Sequence, residues 1–273
     1  MQNMILEMLS YPFIARAFIV GILVSLCAAL LGVSLVLKQY SMIGDGLSHV
    51  SYGALSIALA CNIAPLKLSI PVVIVTAFLL LRMTERGMMK SDAAIAAVSA
   101  SALAIGVSVT SLTTGMTTDV NSYMFGSILA MTREDVVLSV ILSVVVLVLF
   151  GFCYHYIFAV TFDEGFGRAI GVKVSFYNTM LAISTAVTIV LGMQMIGAML
   201  ISSLIIFPAL TSMRLFHSFR GVVITSGVLS VACFVAGMVL SYQSSMPAGA
   251  SVVLANLGAF LVFFAVGKIK ELV

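Results

Sequence analysis

Charge is what this sequence has least of. Only 8% of its 273 residues are charged, where soluble domains carry about 25%. No stretch is polar enough to make a soluble domain of useful size, and no nucleic-acid partner is expected. Cysteine is scarce as well. Cys27, Cys61, Cys153 and Cys233 stand singly in or near apolar runs with no CxxC spacing, which excludes a zinc knot or a disulfide framework and leaves small packing residues. The phosphate-loop pattern G-x-x-x-x-G-K-[ST] is missing, so the chain does not hydrolyse ATP by that route. It also lacks an H-E-x-x-H run or a convincing Ser/His/Asp or Cys/His set, and is not expected to be an enzyme. His155 and His217 fall at expected helix ends. The first ten residues hold no Lys or Arg, so a cleaved signal peptide is not expected.

Apolar runs are what the chain has in abundance, at 62% hydrophobic residues. Nine are long enough to cross about 30 Å of hydrocarbon. They fall near 13–37, 45–64, 66–82, 91–112, 134–159, 175–194, 196–213, 221–241 and 248–267. Between the sixth and seventh, Met195 and Ile196 leave room only for a tight hairpin or one broken helix. The expected fold is all-α, a polytopic membrane bundle of about eight to nine spans forming one domain over residues 1–273.

Basic residues set the orientation. With the N-terminus outside, Lys38, Arg82, Arg86, Lys90, Arg168, Lys173, Arg214, Arg220, Lys268 and Lys270 are cytoplasmic. Only Arg16, Lys67 and Arg133 then lie outside, a bias large enough to choose this topology over its inverse.

Against that background, Asp45 and His49 stand out near the start of the second span. A charge within an apolar helix costs a few kcal/mol or more and demands a partner or a wet cavity. Four residues apart, the two share one helical face, which Ser48, Tyr52 and Ser56 continue as a polar stripe. A carboxylate and an imidazole converging near mid-bilayer suit a divalent cation. A buried ion pair that only bridges helices fits the same residues.

Two polar connectors follow. Residues 113–133 suit a short helix at the outer surface or a re-entrant one, where Asp119 either meets an incoming cation or caps the helix. Residues 161–173 read as a short cytoplasmic helix with Asp163 and Glu164 at its start, Arg168 one turn on, and Gly171 as a left-handed cap. Phe162 and Phe166, apolar beside charges, suit either a docking surface or a well-capped connector.

Four stretches share a resemblance. Residues 31–49, LGVSLVLKQYSMIGDGLSH, resemble the signature near the start of the metal-type ABC transporter permeases, which import zinc, manganese or iron. Residues 162–172, FDEGFGRAIGV, resemble that family's coupling segment. MIGAMLISSLIIFPA at 195–209 is similar to its following helix, and PAGA at 247–250 to the start of its last span. The sequence departs at Tyr52 and Gly53, where Pro is frequent, and at Gly165 and Gly167, in a segment usually richer in Glu and Ala.

The resemblance implies two copies of this chain in the lipid bilayer, two cytoplasmic ATPase subunits, and an extracytoplasmic metal-binding protein that delivers cargo. It assigns metal contact to Asp45 and His49, and ATPase coupling to Phe162, Asp163, Glu164, Phe166, Arg168 and Gly171. Two chains around a shared path would then bring together two carboxylates and two imidazoles. Phe162 and Phe166 would anchor the ATPase, with Asp163, Glu164 and Arg168 as rim charges. No resident cofactor is expected. The rival readings are an ATP-independent cation carrier or channel, an intramembrane zinc enzyme, and a permease for large chelates. Copper cargo, invited by 17 Met, competes with Met as ordinary gap-filler.

Overall fold

The computed structural model describes residues 12–85, 87, 89–113, 132–197 and 201–272. Asp119 and most of the connector around it lie outside the described residues. Among the described residues every regular element is helical: α1 Pro12–Leu37, α2 Ile43–Ala60, α3 Pro65–Glu85, α4 Ser91–Leu112, α5 Arg133–Phe152, α6 Tyr154–Phe162, α7 Glu164–Ala169, α8 Val174–Ile196, α9 Ile201–Leu215, α10 Phe219–Ser244 and α11 Ala248–Leu272. Helices close their own backbone hydrogen bonds, which hydrocarbon requires of a spanning segment. Seven of them are long and apolar enough to cross a membrane, and the chain is a multi-pass membrane protein.

Each of the nine expected spans has a helical counterpart, but α2 and α9 are not among the seven helices long and apolar enough to cross, and the other differences lie in the ends. The second stops at Ala60, because Cys61 and Asn62 turn, with Asn62 at φ 55°. The fifth breaks at Cys153, whose ψ of 7° leaves the helical range and divides α5 from α6. At the tight junction, Gly197 takes φ 102°, which favours glycine, and ends α8. The 15 described residues of α9 rise about 22 Å. Pro208 within it removes the bond to the Leu204 carbonyl.

Helix α1 is the hub. It packs against α5, α8, α9 and α10, and about two-thirds of its best apolar window is buried, whereas α4, α5 and α11 bury less than a quarter of theirs. Two serines of α10 fasten it across the length of the chain. Ser230 Oγ donates to the Ser25 carbonyl at 2.9 Å and Ser226 Oγ to that of Ala29 at 3.3 Å. Helix α2 lies against α3 and α4, with α8 and α9 also in contact. Gly53 lets α4 close in, since a Cβ there would stand 2.8 Å from the Ala102 carbonyl oxygen. At one end of the bundle the structure gathers Lys38, Arg82, Glu85, Glu164 and Arg168, all on the side that the charge bias makes cytoplasmic.

Candidate functional site

The turn from α1 into α2 is tight. Gln39 takes φ 61°, the Tyr40 amide donates to the Leu35 carbonyl at 2.8 Å, and the Ile43 amide donates to the Tyr40 carbonyl at 3.0 Å. Met42, the N-cap, offers no side-chain bond. Asp45 sits in the first turn of α2, where the partial positive charge of a helix start favours a carboxylate. His49 lies one turn on. Both are therefore nearer the foot of α2 than its middle, near the start of the span where the sequence put them and not at its mid-depth.

The Asp45 carboxylate and the His49 imidazole face each other, Oδ2 to Nε2, at 3.7 Å. That is too long for a hydrogen bond. Two donor atoms on one tetrahedral ion stand about 3.4 Å apart at usual zinc bond lengths, so a small side-chain rotation would let both reach one cation. The Asp45 side chain is 40% exposed and the His49 side chain 13%, so the open side of the pair belongs to the carboxylate. His49 Nδ1 is buried without a hydrogen-bond partner. Among the described residues no third His, Cys, Asp or Glu completes a metal cluster. The expected polar stripe does not extend the site. Ser48 Oγ donates to the Asp45 carbonyl at 2.7 Å and Ser56 Oγ to that of Tyr52 at 3.0 Å, while Tyr52 is buried against Gly106 of α4.

The second cluster surrounds α7. Asp163 caps this six-residue helix by accepting from the Phe166 amide at 2.9 Å. Gly171 at φ 85° closes it, with its amide on the Arg168 carbonyl and the Val172 amide on that of Gly167. Phe162, Phe166 and Ile170 project outward, each more than half exposed. Phe162 also leans edge-on against Phe219 of α10 at 5.8 Å between ring centres.

Glu164, expected at the rim, turns inward instead. Its Oε1 accepts from Lys38 Nζ at 2.7 Å and from Asn178 Nδ2 at 3.0 Å, and its Oε2 from Arg168 at 3.4 Å. Asn178 Oδ1 accepts from Lys38 at 2.6 Å, and its Nδ2 also donates to Glu85 at 3.2 Å. Burial alone would raise the Glu164 carboxyl. The hydrogen bonds from Lys38 and Asn178 and the charges of Lys38 and Arg168 outweigh it and hold the group below the usual carboxylate range. The Tyr40 phenol is pushed up by burial, and further by the Glu164 and Glu85 charges.

The profile of the family described as ABC 3 transport matches residues 10–267. The chain belongs to the ABC 3 transport family. It is 27% identical over 263 residues to the manganese import system permease protein ScaB of Streptococcus gordonii, covering 96% of this chain and 94% of that one. It is 28% identical over 247 residues to the high-affinity zinc uptake system membrane protein ZnuB of Buchnera aphidicola, covering 90% of this chain and 94% of the relative. A solved structure, PsaBC from Streptococcus pneumoniae in complex with Fab, superposes with a TM-score of 0.85 at 26% identity, over 97% of this chain and 95% of that chain.

Within this ABC 3 family member, the sequence singled out Asp45 and His49, because a charge in an apolar run is visible by itself, and the structure sets the two side chains face to face. Sequence reasoning missed Asn178, one polar residue in an otherwise apolar helix. It took Lys38 only as a basic flank, since its partners lie 126 and 140 residues away.

Proposed function

We propose that the chain is the membrane-spanning permease of an ATP-driven importer of divalent transition metal ions, with zinc or manganese as cargo and iron within reach of the same donors. The observation that carries this reading is the Asp45–His49 pair, two donors 3.7 Å apart and not hydrogen-bonded to each other, in a chain of the ABC 3 transport family. Carboxylate and imidazole suit all three ions, so selection rests on geometry and supply rather than donor type.

Each chain supplies half a ligand set. Two copies meeting around a shared path offer two carboxylates and two imidazoles, a four-donor set for a borderline cation. An external binding protein hands over the ion, and a pair of cytoplasmic ATPase subunits supplies the work. Phe162, Phe166 and Ile170 form the apolar face offered to the ATPase, because buried aromatic anchors dominate interface energy. The surrounding bilayer is the cytoplasmic membrane, and α7 lies on its inner side.

The test is ATP-dependent uptake of Mn²⁺ and Zn²⁺ by the assembled transporter. Asp45→Ala and His49→Ala should each abolish uptake while leaving assembly intact. Undiminished uptake in either correctly assembled variant rejects the site. Uptake that persists without ATP would make the chain a carrier or channel.

A further inference from the structure

The sequence separates the metal pair from the cytoplasmic helix by more than a hundred residues, yet the structure leaves only one side chain and one turn between them. Lys38 is the residue directly after α1, and Ile43, where α2 begins, is five residues on. The intervening turn is braced by the Tyr40 and Ile43 amides, so it is stiff along its length. From its other side, Lys38 Nζ holds Glu164, the first residue of α7, and Asn178 in the second turn of α8. The Lys38 side chain is only 8% exposed, and Asn178 is buried. An ammonium in such a place stays put only while its acceptors do.

We propose that Lys38, Asn178 and Glu164 are positioning residues of the import cycle: they clamp α7 to the turn that starts α2, so that a displacement of α7 is delivered to Asp45. This rests on the reading of α7 as the face offered to an ATPase. Three observations carry it. Glu164 is the side chain by which α7 bonds to α1, while its aromatic residues point away from the bundle. The same cluster reaches α3 through the bond from Asn178 to Glu85, so the acceptor that holds Lys38 is itself tied to a further helix. Between the cluster and the foot of α2 lies a cavity of about 30 Å³, lined by Lys38, Tyr40, Ile43, Ser91 and Asn178. The Ser91 hydroxyl is buried there without a partner. Close-packed interiors resist displacement, so this gap gives Ile43 room to move when its neighbours are pulled.

The bonds also say which variants isolate the role. In Lys38→Met the Glu164 carboxylate keeps Asn178 and Arg168, and in Glu164→Gln the side chain keeps its size and Lys38 keeps Asn178. The clamp loses its charge pair in both; Lys38→Met leaves Glu164 with Arg168 as its counter-ion, while Glu164→Gln leaves the Lys38 ammonium with neutral acceptors alone. The double variant Lys38→Glu with Glu164→Lys reverses the pair.

The experiment uses the assembled transporter in proteoliposomes, with the ATPase subunit that co-purifies with the unaltered chain, and Mn²⁺ and Zn²⁺ each as the probe ion. In both single variants ATPase binding and hydrolysis should persist while ions imported per ATP fall about tenfold, the size of effect expected of residues that carry coupling. The reversed pair should return that ratio to within about threefold of the unaltered protein, as a direct charge interaction requires. The proposal is overturned if either single variant keeps its ratio within about twofold, or if the reversed pair restores nothing. Loss of ATPase binding or of folding with an unchanged ratio in what still assembles also overturns it, since that marks a merely structural contact. If the unaltered transporter imports neither ion, the importer reading itself fails and takes the clamp with it, an outcome distinct from the clamp failing alone.

Discussion

His49 turns one ring nitrogen toward Asp45 and buries the other with nothing to bond. A ligating imidazole normally donates its far N–H to an acceptor, so this one has room for a better arrangement once an ion arrives. Asp45→Asn keeps the shape and removes the charge. It is expected to lower metal uptake by at least about tenfold, measured as ion accumulation at fixed expression. Glu164 gives a residue-scale prediction in pH. Its carboxyl is held low in the folded chain, with Lys38, Asn178 and Arg168 on it and Glu85 and Tyr40 nearby. Its contribution to stability is therefore complete above the ordinary carboxylate value of about 4.3 and is lost as pH falls through the lower folded value. Melting of the unaltered chain against Glu164→Gln should show a margin at neutral pH that shrinks only below about pH 4.3. Glu85 is present in both proteins, so the difference reads the change at Glu164. A margin that is flat down to pH 2 would remove the charge pair as its cause.

At the scale of elements, α7 is defined by its two ends, Asp163 at one and Gly171 at the other. Gly171→Ala places a Cβ at φ 85° and should cost about 1–2 kcal/mol, read as a lower melting temperature of the purified chain. Phe166→Asp should weaken ATPase binding by about thirtyfold or more, while Phe166→Leu keeps most of it. Phe162 is the less clean probe, because its ring also rests on Phe219 and its loss disturbs the bundle. The elements were the most legible part of the sequence. Apolar runs of spanning length announce themselves, and Asp163 and Gly171 mark helix ends through local chemistry. Breaks such as Cys153 were hidden, since a helix can stop inside an apolar run without any change in composition. The inward turn of Glu164 was hidden too. Its partners belong to α1 and α8, and nothing local in FDEGFGR distinguishes an acid that faces a partner chain from one that faces its own.

For the molecule as a whole, the proposal that each chain supplies half a ligand set has a stoichiometric consequence. The purified permease should bind one Zn²⁺ or Mn²⁺ per two chains, and Asp45→Ala should bring this to zero by elemental analysis. One ion for each chain would require donors beyond this pair. The position of α1 has a consequence of another kind. Helix α1 leaves the ribosome well before α10, so its carbonyls at Ser25 and Ala29 wait for Ser230 and Ser226, some two hundred residues later. Helices α4 and α5, which bury less than a quarter of their apolar windows within the chain, can settle in the bilayer as they emerge, but the α10 side of the hub is covered only after Ser230 has been made. Nascent chains halted after α9 would leave the α10 face of α1 uncovered, open to mispairing with neighbouring polypeptides. The closing of α10 over Ser25 and Ala29 is thus a check that the stretch between those residues and Ser226 and Ser230 has been made and folded.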